Sequence, residues 1–147
     1  MLTKCSYIGI EAEGPNRGMK TLFLADSTTY EEDILSILKS HPDIKHIYFG
    51  AGGMRYIPRR QIYCLEKLKG MQITIEVDAP NRLKYVPKLD NVTVVLSFFT
   101  EELECLRDRK VRIKIEDERQ LFIFDNATIY ENSIHDPLYD KDEKVII

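Results

Sequence analysis

Three short stretches rich in β-branched and aromatic residues recur along the chain, each followed by a loop and a segment with helical character. They are 44–49 (IKHIYF), 71–77 (MQITIEV) and 91–99 (NVTVVLSFF). Their nearly continuous apolar character is typical of parallel strands that are covered on both faces. Repeated strand–helix units of this length predict an α/β fold, either a partial (β/α) barrel or an open, mainly parallel sheet with flanking helices.

The first part of the chain predicts a hairpin and a helix. Two apolar stretches, 6–10 and 19–24, flank the turn-rich segment 13–18, which is typical of a β-hairpin. The segment 30–40 (YEEDILSILKS) has apolar residues at helical spacing, and we expect that helix to end before Pro42.

The later part predicts a second long helix and a change of pattern at the end. A helix is expected from Pro58 to a stop at Gly70, and shorter helical pieces at 82–85 and 100–109. The alternating stretch 111–115, followed by a polar turn and more apolar residues, predicts a C-terminal hairpin or an edge strand.

Length and composition indicate one ordinary globular domain over residues 1–147. The chain is 44% hydrophobic and 31% charged, which excludes collagen-like and disordered classes. A net charge of −3 gives no global attraction for nucleic acid or membranes, so any such partner needs a local patch. The sequence has no apolar run long enough for a signal peptide or a membrane span, and we expect a cytoplasmic protein.

The three cysteines are widely separated in the sequence. Cys5, Cys64 and Cys105 form no close pair, which argues against a disulfide framework or a local zinc site. We therefore interpret them as small apolar side chains and expect no metal site.

Ligands of parallel sheets bind beyond the carboxyl ends of the strands, and this rule selects a glycine-rich segment. Gly50, Gly52 and Gly53 follow a predicted strand and precede a helix start, where free N–H groups favour an anion, and Arg55 adds positive charge. The segment matches neither a P-loop nor a GxGxxG motif. Two interpretations stay open: a phosphate or nucleotide site, and a plain glycine-rich turn beside a solvated basic helix start.

Two aspartates also follow predicted strands. Asp26 and Asp78 are candidates for an acid–base pair or for binding a ribose or an amine, although helix capping alone accounts for aspartate at such positions. The three histidines are not near a nucleophile motif, so we interpret them as structural.

Several short motifs resemble the radical S-adenosylmethionine (SAM) enzymes. The segments 10–18 (IEAEGPNRG) and 21–24 (TLFL) are similar to the N-terminal hairpin of the 7-carboxy-7-deazaguanine synthase and ribonucleotide-reductase-activase branches. The strand 47–49 with the glycine segment 50–54 (GAGGM) resembles the family's GGE motif, which binds the methionyl amine of the cofactor, and 73–78 (ITIEVD) resembles its IETNG strand. The resemblance covers about residues 6–100 and implies a partial (β/α) barrel.

The chain departs from that family where the family's chemistry resides. A CxxxCxxC loop should follow Leu24, but no cysteine lies between Cys5 and Cys64, so we expect no iron–sulfur cluster and no radical reaction. The GGE glutamate is also replaced, by Gly53 or Met54. We therefore expect no resident cofactor, and SAM is only one candidate among nucleotide-like ligands.

These observations lead to a function hypothesis and two alternatives. The first is a non-radical, cluster-less domain of the radical-SAM-like fold that binds a nucleotide-like small molecule or a protein partner. The second is a small enzyme with cluster-independent acid–base chemistry at the strand ends. Of these two, we prefer the first, in which the domain binds a ligand or a partner and does not catalyse a reaction. The third is a structural subunit that forms a homo-oligomer through the strand at 111–115.

Overall fold

A computed structural model describes residues 6–12, 14–24, 31–50, 67–77, 86, 88–96, 109–113 and 128–129. Seven strands and one α-helix are defined within these ranges: β1 (Ser6–Ile10), β2 (Lys20–Leu24), α1 (Glu31–Ser40), β3 (His46–Phe49), β4 (Gln72–Val77), β5 (Val92–Leu96), β6 (Lys110–Ile113) and β7 (Thr128–Ile129). A single 3-10 turn, Gly14–Asn16, lies between β1 and β2.

The strands form one mixed sheet whose order is the order of the chain, from β1 to β7. β1 pairs antiparallel with β2, and every later pair from β2–β3 to β6–β7 is parallel. The α/β class and the open, mainly parallel sheet are therefore confirmed. The strand order never reverses among the described strands, unlike in a doubly wound sheet, where ligands bind at the reversal point.

The predicted N-terminal hairpin is also confirmed. The Glu11 N–H donates to the Met19 carbonyl at 3.0 Å, and the Gly18 N–H donates to the Glu11 carbonyl at 2.8 Å. These two bonds close the loop around the 3-10 turn, so that Ile10 and Lys20 become register partners at the base of the hairpin.

The helix α1 forms as its sequence periodicity predicts. Ile34 and Ile37 are buried in the main apolar cluster, and Leu38 packs against it. The helix ends at Ser40, although the His41 N–H still donates to the Ile37 carbonyl at 2.9 Å. Pro42 follows and has no N–H to extend the series.

One face of the sheet carries the main apolar core together with α1. Its strand residues are Ile8, Leu22, Leu24, Ile47, Ile73, Ile75, Val77, Val92, Val94, Leu96 and Val111. Burial of each such side chain stabilises the fold by roughly 1.5–3 kcal/mol. These residues occupy the alternate, apolar positions of each strand from β1 to β5, and Val111 is the corresponding residue of β6.

The described neighbours of β6 do not form the expected C-terminal hairpin, whose second half, 121–124, lies outside the described residues. This strand lies between β5 and β7 and is parallel to both, so it continues the parallel sheet. Within 111–115, the segment through which a structural subunit would pair, Val111 has a register partner in β7, and residues 114–115 lie outside the described residues. The alternation that suggested a hairpin also occurs in β4, a parallel strand whose two faces differ in polarity.

Other predicted elements lie outside the described residues. They include most of the helix expected from Pro58, the piece at 82–85, the piece at 100–109 except Arg109, which is described and not helical, and the apolar segment 121–124. Gly70, the predicted stop of the second helix, is described and has a φ of 91°. No helix in the described ranges is long and apolar enough to cross a membrane.

Candidate functional site

The parallel strands bring their carboxyl ends to one edge of the sheet, here called the carboxyl edge. Leu24 and Phe49, the last residues of β2 and β3, are register partners, and so are Val77 and Leu96, the last residues of β4 and β5. Hydrogen bonding between the chain and β2 continues one residue beyond β3, because the Gly50 N–H donates to the Leu24 carbonyl at 2.7 Å. Gly50 is buried at this position.

Of the candidate site residues, only Gly50 is described, and it lies at the carboxyl edge. Gly52, Gly53, Arg55, Asp26 and Asp78 lie outside the described residues. In the sequence, Asp78 directly follows the last residue of β4, and Asp26 is two positions beyond the last residue of β2. The strands that these aspartates follow are separated by a single strand, β3.

The sheet face opposite the main core is polar, although it is also buried. The register of the strands places five buried polar residues there, and we call this set the polar face: Thr21, His46, Thr74, Glu76 and Thr93. The aromatic residues Tyr7, Phe23 and Tyr48 lie on the same side in a second, smaller cluster with Val95. Sequence reasoning missed this face.

His46 is the centre of a hydrogen-bond bridge across β2, β3 and β4. Its Nδ1 lies 2.8 Å from the Thr21 hydroxyl, and its Nε2 lies 2.7 Å from the Thr74 hydroxyl. The ring has no solvent exposure, so both ring nitrogens obtain their partners from the protein. This arrangement fits a structural histidine, as the sequence analysis expects.

The direction of each bond in the bridge follows from counting hydrogens. The single hydroxyl hydrogen of Thr21 is donated to the Met19 carbonyl at 2.9 Å. The Thr21 oxygen can then only accept from His46, so Nδ1 carries the ring hydrogen. In the neutral ring Nε2 is an acceptor, and the Thr74 hydroxyl donates to it. The tautomer is thus assigned from the network.

An aromatic strip adjoins this bridge. The rings of Tyr7 and Phe23 are stacked with centroids 4.6 Å apart, and Phe23 and Tyr48 are tilted at 5.7 Å. Tyr48 and His46 meet edge to face at 6.4 Å. Tyr48 therefore packs against the imidazole in one of the geometries that aromatic rings prefer.

Glu76 is the ionisable residue of the polar face that lies nearest the carboxyl edge. It is the penultimate residue of β4 and is only 3% exposed. Since Thr74 and Glu76 alternate with the core residues Ile73, Ile75 and Val77, the period-two pattern of QITIEV was the signal that could have revealed this face.

An ion pair lies at the opposite edge of the sheet. Lys20 donates to the Asp43 carboxylate at 2.6 Å, and this hydrogen bond lowers the pKa of Asp43 below its ordinary value of 3.8. In the described ranges, no group of three or more His, Cys, Asp or Glu side chains is arranged to hold a metal ion.

Comparison of the chain with protein-family models, with curated proteins and with solved structures finds no match.

Proposed function

We propose that this chain is a non-radical, cluster-less domain of the radical-SAM-like fold that binds a nucleotide-like ligand at the carboxyl edge of its sheet. The observation that carries the proposal is the unbroken parallel order from β2 to β7. This order supports a common site, because adjacent parallel strands deliver the residues that follow them to one edge. The glycine segment and both candidate aspartates follow strands of this set.

The two different faces of the sheet support a partial barrel for this domain. In (β/α) barrels, helices pack on the outside of the sheet, and side chains of alternate residues fill the inside. α1 packs on the apolar face, as an outer helix does, and the polar face is buried as an inner face is. The resemblance to radical SAM enzymes implies the same architecture.

The ligand class follows from the chemistry around the end of β3. Gly50 holds the start of the glycine segment at the carboxyl edge through its bond to Leu24. Glycines permit a close approach of the backbone to a ligand, and Arg55 supplies a charge that suits phosphate. A phosphate-bearing ligand is consistent with these groups, and a nucleotide is a ligand of that class.

A thermal-shift screen tests this function. The purified chain is heated with SAM, purine nucleotides, pyrimidine nucleotides or inorganic phosphate. A ligand present at about 100 times its Kd stabilises the fold by roughly 2.7 kcal/mol. For a chain of this size that corresponds to a rise in Tm of about 5–10 °C.

Variants distinguish the proposed site from a general charge effect. Gly52→Val combined with Arg55→Ala should abolish the ligand-induced shift and leave the circular dichroism spectrum unchanged. Arg17→Ala is the matched control, because Arg17 is exposed in the turn before β2, away from the carboxyl edge. Retention of the shift in the double variant, or its loss in Arg17→Ala, would remove the glycine segment from the site.

A second candidate is an enzyme that uses Asp26 and Asp78 as acid and base. Its support is that β2 and β4 are separated only by β3, so their ends lie about two strand spacings, or ~10 Å, apart. A small substrate fits between carboxylates that follow such strands. Asp26→Asn and Asp78→Asn should each abolish turnover of a ligand found in the screen, with binding changed less than about tenfold. Unchanged turnover in both variants would exclude this role.

A further inference from the structure

The opposite edge of the sheet carries a row of lysines. Each strand from β2 to β6 begins with a lysine or has one within the four residues before it: Lys20, Lys45, Lys69, Lys88 and Lys110. Because these strands are parallel neighbours in chain order, their entries lie side by side. We call this row and the described residues around it (19–20, 41–45, 67–71, 88–91 and 109–110) the amino edge.

Hydrogen bonds between neighbouring entries hold the amino edge together. The Lys45 N–H donates to the Lys20 carbonyl at 3.1 Å, and the Gln72 N–H donates to the Lys45 carbonyl at 3.0 Å. Further along, the Asn91 side-chain amide donates to the Met71 carbonyl at 2.7 Å. With strands about 4.8 Å apart, the five entries span roughly 19 Å.

The last entry is fixed by cationic side chains. Lys110 Nζ donates to the Asp90 carbonyl at 2.6 Å, and the buried Arg109 donates to the Val86 carbonyl at 2.8 Å. These hydrogen bonds fix the backbone that carries the lysines from β2 to β6. A partner would therefore bind a preorganised surface.

The charge of the amino edge is opposite to that of the whole chain. Its described residues include seven lysines and arginines but only two carboxylates, Asp43 and Asp90, which makes a net charge of +5 in a chain of net charge −3. Asp43 pairs with Lys20, and the side chains of Lys45, Lys69 and Lys88 are exposed at the surface. A local field of this sign attracts an anionic partner that the chain as a whole would not attract.

An exposed leucine within the row indicates which kind of anion fits. Leu89 lies between Lys88 and Asp90 and is 43% exposed, one of three large exposed hydrophobic residues in the described ranges. Nucleic-acid backbones offer nothing apolar to such a residue, and single strands are held by exposed aromatic platforms, which the described amino edge lacks. Protein interfaces, by contrast, combine an apolar contact with a charged rim.

We propose that the amino edge is a docking surface for an acidic segment of another protein, with Leu89 in contact with an apolar side chain of that segment. The surface is at the other end of the strands from the carboxyl edge, so it does not depend on the ligand site proposed above. Contacts between exposed charges are individually weak and are screened by salt. We therefore expect a transient complex whose affinity falls as ionic strength rises.

The test uses a fluorescein-labelled peptide of repeated Glu-Glu-Leu triplets and measures its anisotropy with the intact chain. At low ionic strength the peptide should bind, and K45E combined with K88E should weaken binding at least about fivefold. The matched control is R59E combined with R60E, which makes the same change of net charge at the predicted start of the helix that follows β3, on the carboxyl side of that strand in the sequence. That control should change the affinity less than about twofold.

A second pair of variants tests the apolar contact. Leu89→Ser should weaken binding about threefold or more. Leu35→Ser is its matched control, because Leu35 is 40% exposed but lies on α1, and it should have no effect. The circular dichroism spectrum and the Tm of every variant establish that the fold is retained.

Three results would overturn the proposal. One is no peptide binding at low ionic strength. Another is an equal loss of affinity in the lysine variant and its control, since only net charge would then matter. The last is tighter binding of a mixed-sequence single-stranded oligonucleotide than of the peptide, with no effect of Leu89→Ser, which would assign the row to nucleic acid.

Discussion

The hydrogen-bond bridge at His46 makes a specific prediction about stability. Thr74→Val keeps the shape of the side chain but removes the hydroxyl that donates to Nε2 of His46. The imidazole has no solvent exposure, so no water can replace that donor. An unsatisfied buried acceptor costs about 1–3 kcal/mol. For a chain of this size each kcal/mol lowers Tm by roughly 2–4 °C, so the expected decrease is about 2–12 °C.

Thr93→Val is the matched control for this substitution. Thr93 is the register partner of Thr74 on β5 and is buried on the same polar face, but the ring nitrogens of His46 bond to Thr21 and Thr74. Its replacement should change stability by less than about 1 kcal/mol. Urea unfolding followed by circular dichroism suits the measurement, since the chain has no tryptophan. Equal midpoints for the two variants would refute the bridge as a stabilising element.

Three further predictions follow from described geometry. Long-range proton–nitrogen NMR spectra should show the neutral His46 ring protonated on Nδ1, and protonation on Nε2 would reverse the assigned directions. Because the pKa of Asp43 is lowered, its pairing with Lys20 stabilises the fold above pH 3.8 and ceases to do so as pH falls below that value. The Asp43→Asn variant should therefore be less stable than the natural chain near neutral pH but not in acid. An equal difference in free energy of unfolding at both pH values would contradict the pairing. Gly70→Ala should cost about 1–2 kcal/mol of stability from the φ of 91° alone, since no atom of the described residues lies within 4 Å of the added methyl group. Gly70→Asn should cost less, and equal costs for the two variants would argue against backbone strain.

The fold class could be predicted because its signals are local. The hairpin depends on turn residues between two apolar stretches, and α1 depends on the spacing of Ile34 and Ile37. The direction of β6 was not predictable in this way. Alternation along one strand shows that its two faces differ, but it does not show whether the neighbouring strand is parallel or antiparallel.

The polar face was missed for a related reason. Threonine is β-branched, so Thr74 and Thr93 strengthen a strand pattern in the same way as valine does. Because β4 and β5 were interpreted as nearly continuous apolar strands, the hydroxyl groups of Thr74 and Thr93 on one side of the sheet were not recognised. The bridge at His46 joins residues 25 and 28 positions apart, and only the parallel register brings them together.

The parallel order of the sheet also separates the two proposals physically. Residues that precede strands collect at the amino edge, and residues that follow strands collect at the carboxyl edge. The strand direction therefore places the lysine row at one end of the sheet and the segments that follow β2, β3 and β4 at the other. A strand of five residues is roughly 17 Å long, which exceeds the Debye length of about 8 Å at physiological salt. Charge reversal at Lys45 and Lys88 should therefore leave a nucleotide-induced thermal shift unchanged, and Arg55→Ala should leave binding of the acidic peptide unchanged. Loss of both activities in either variant would mean that the two edges do not act independently.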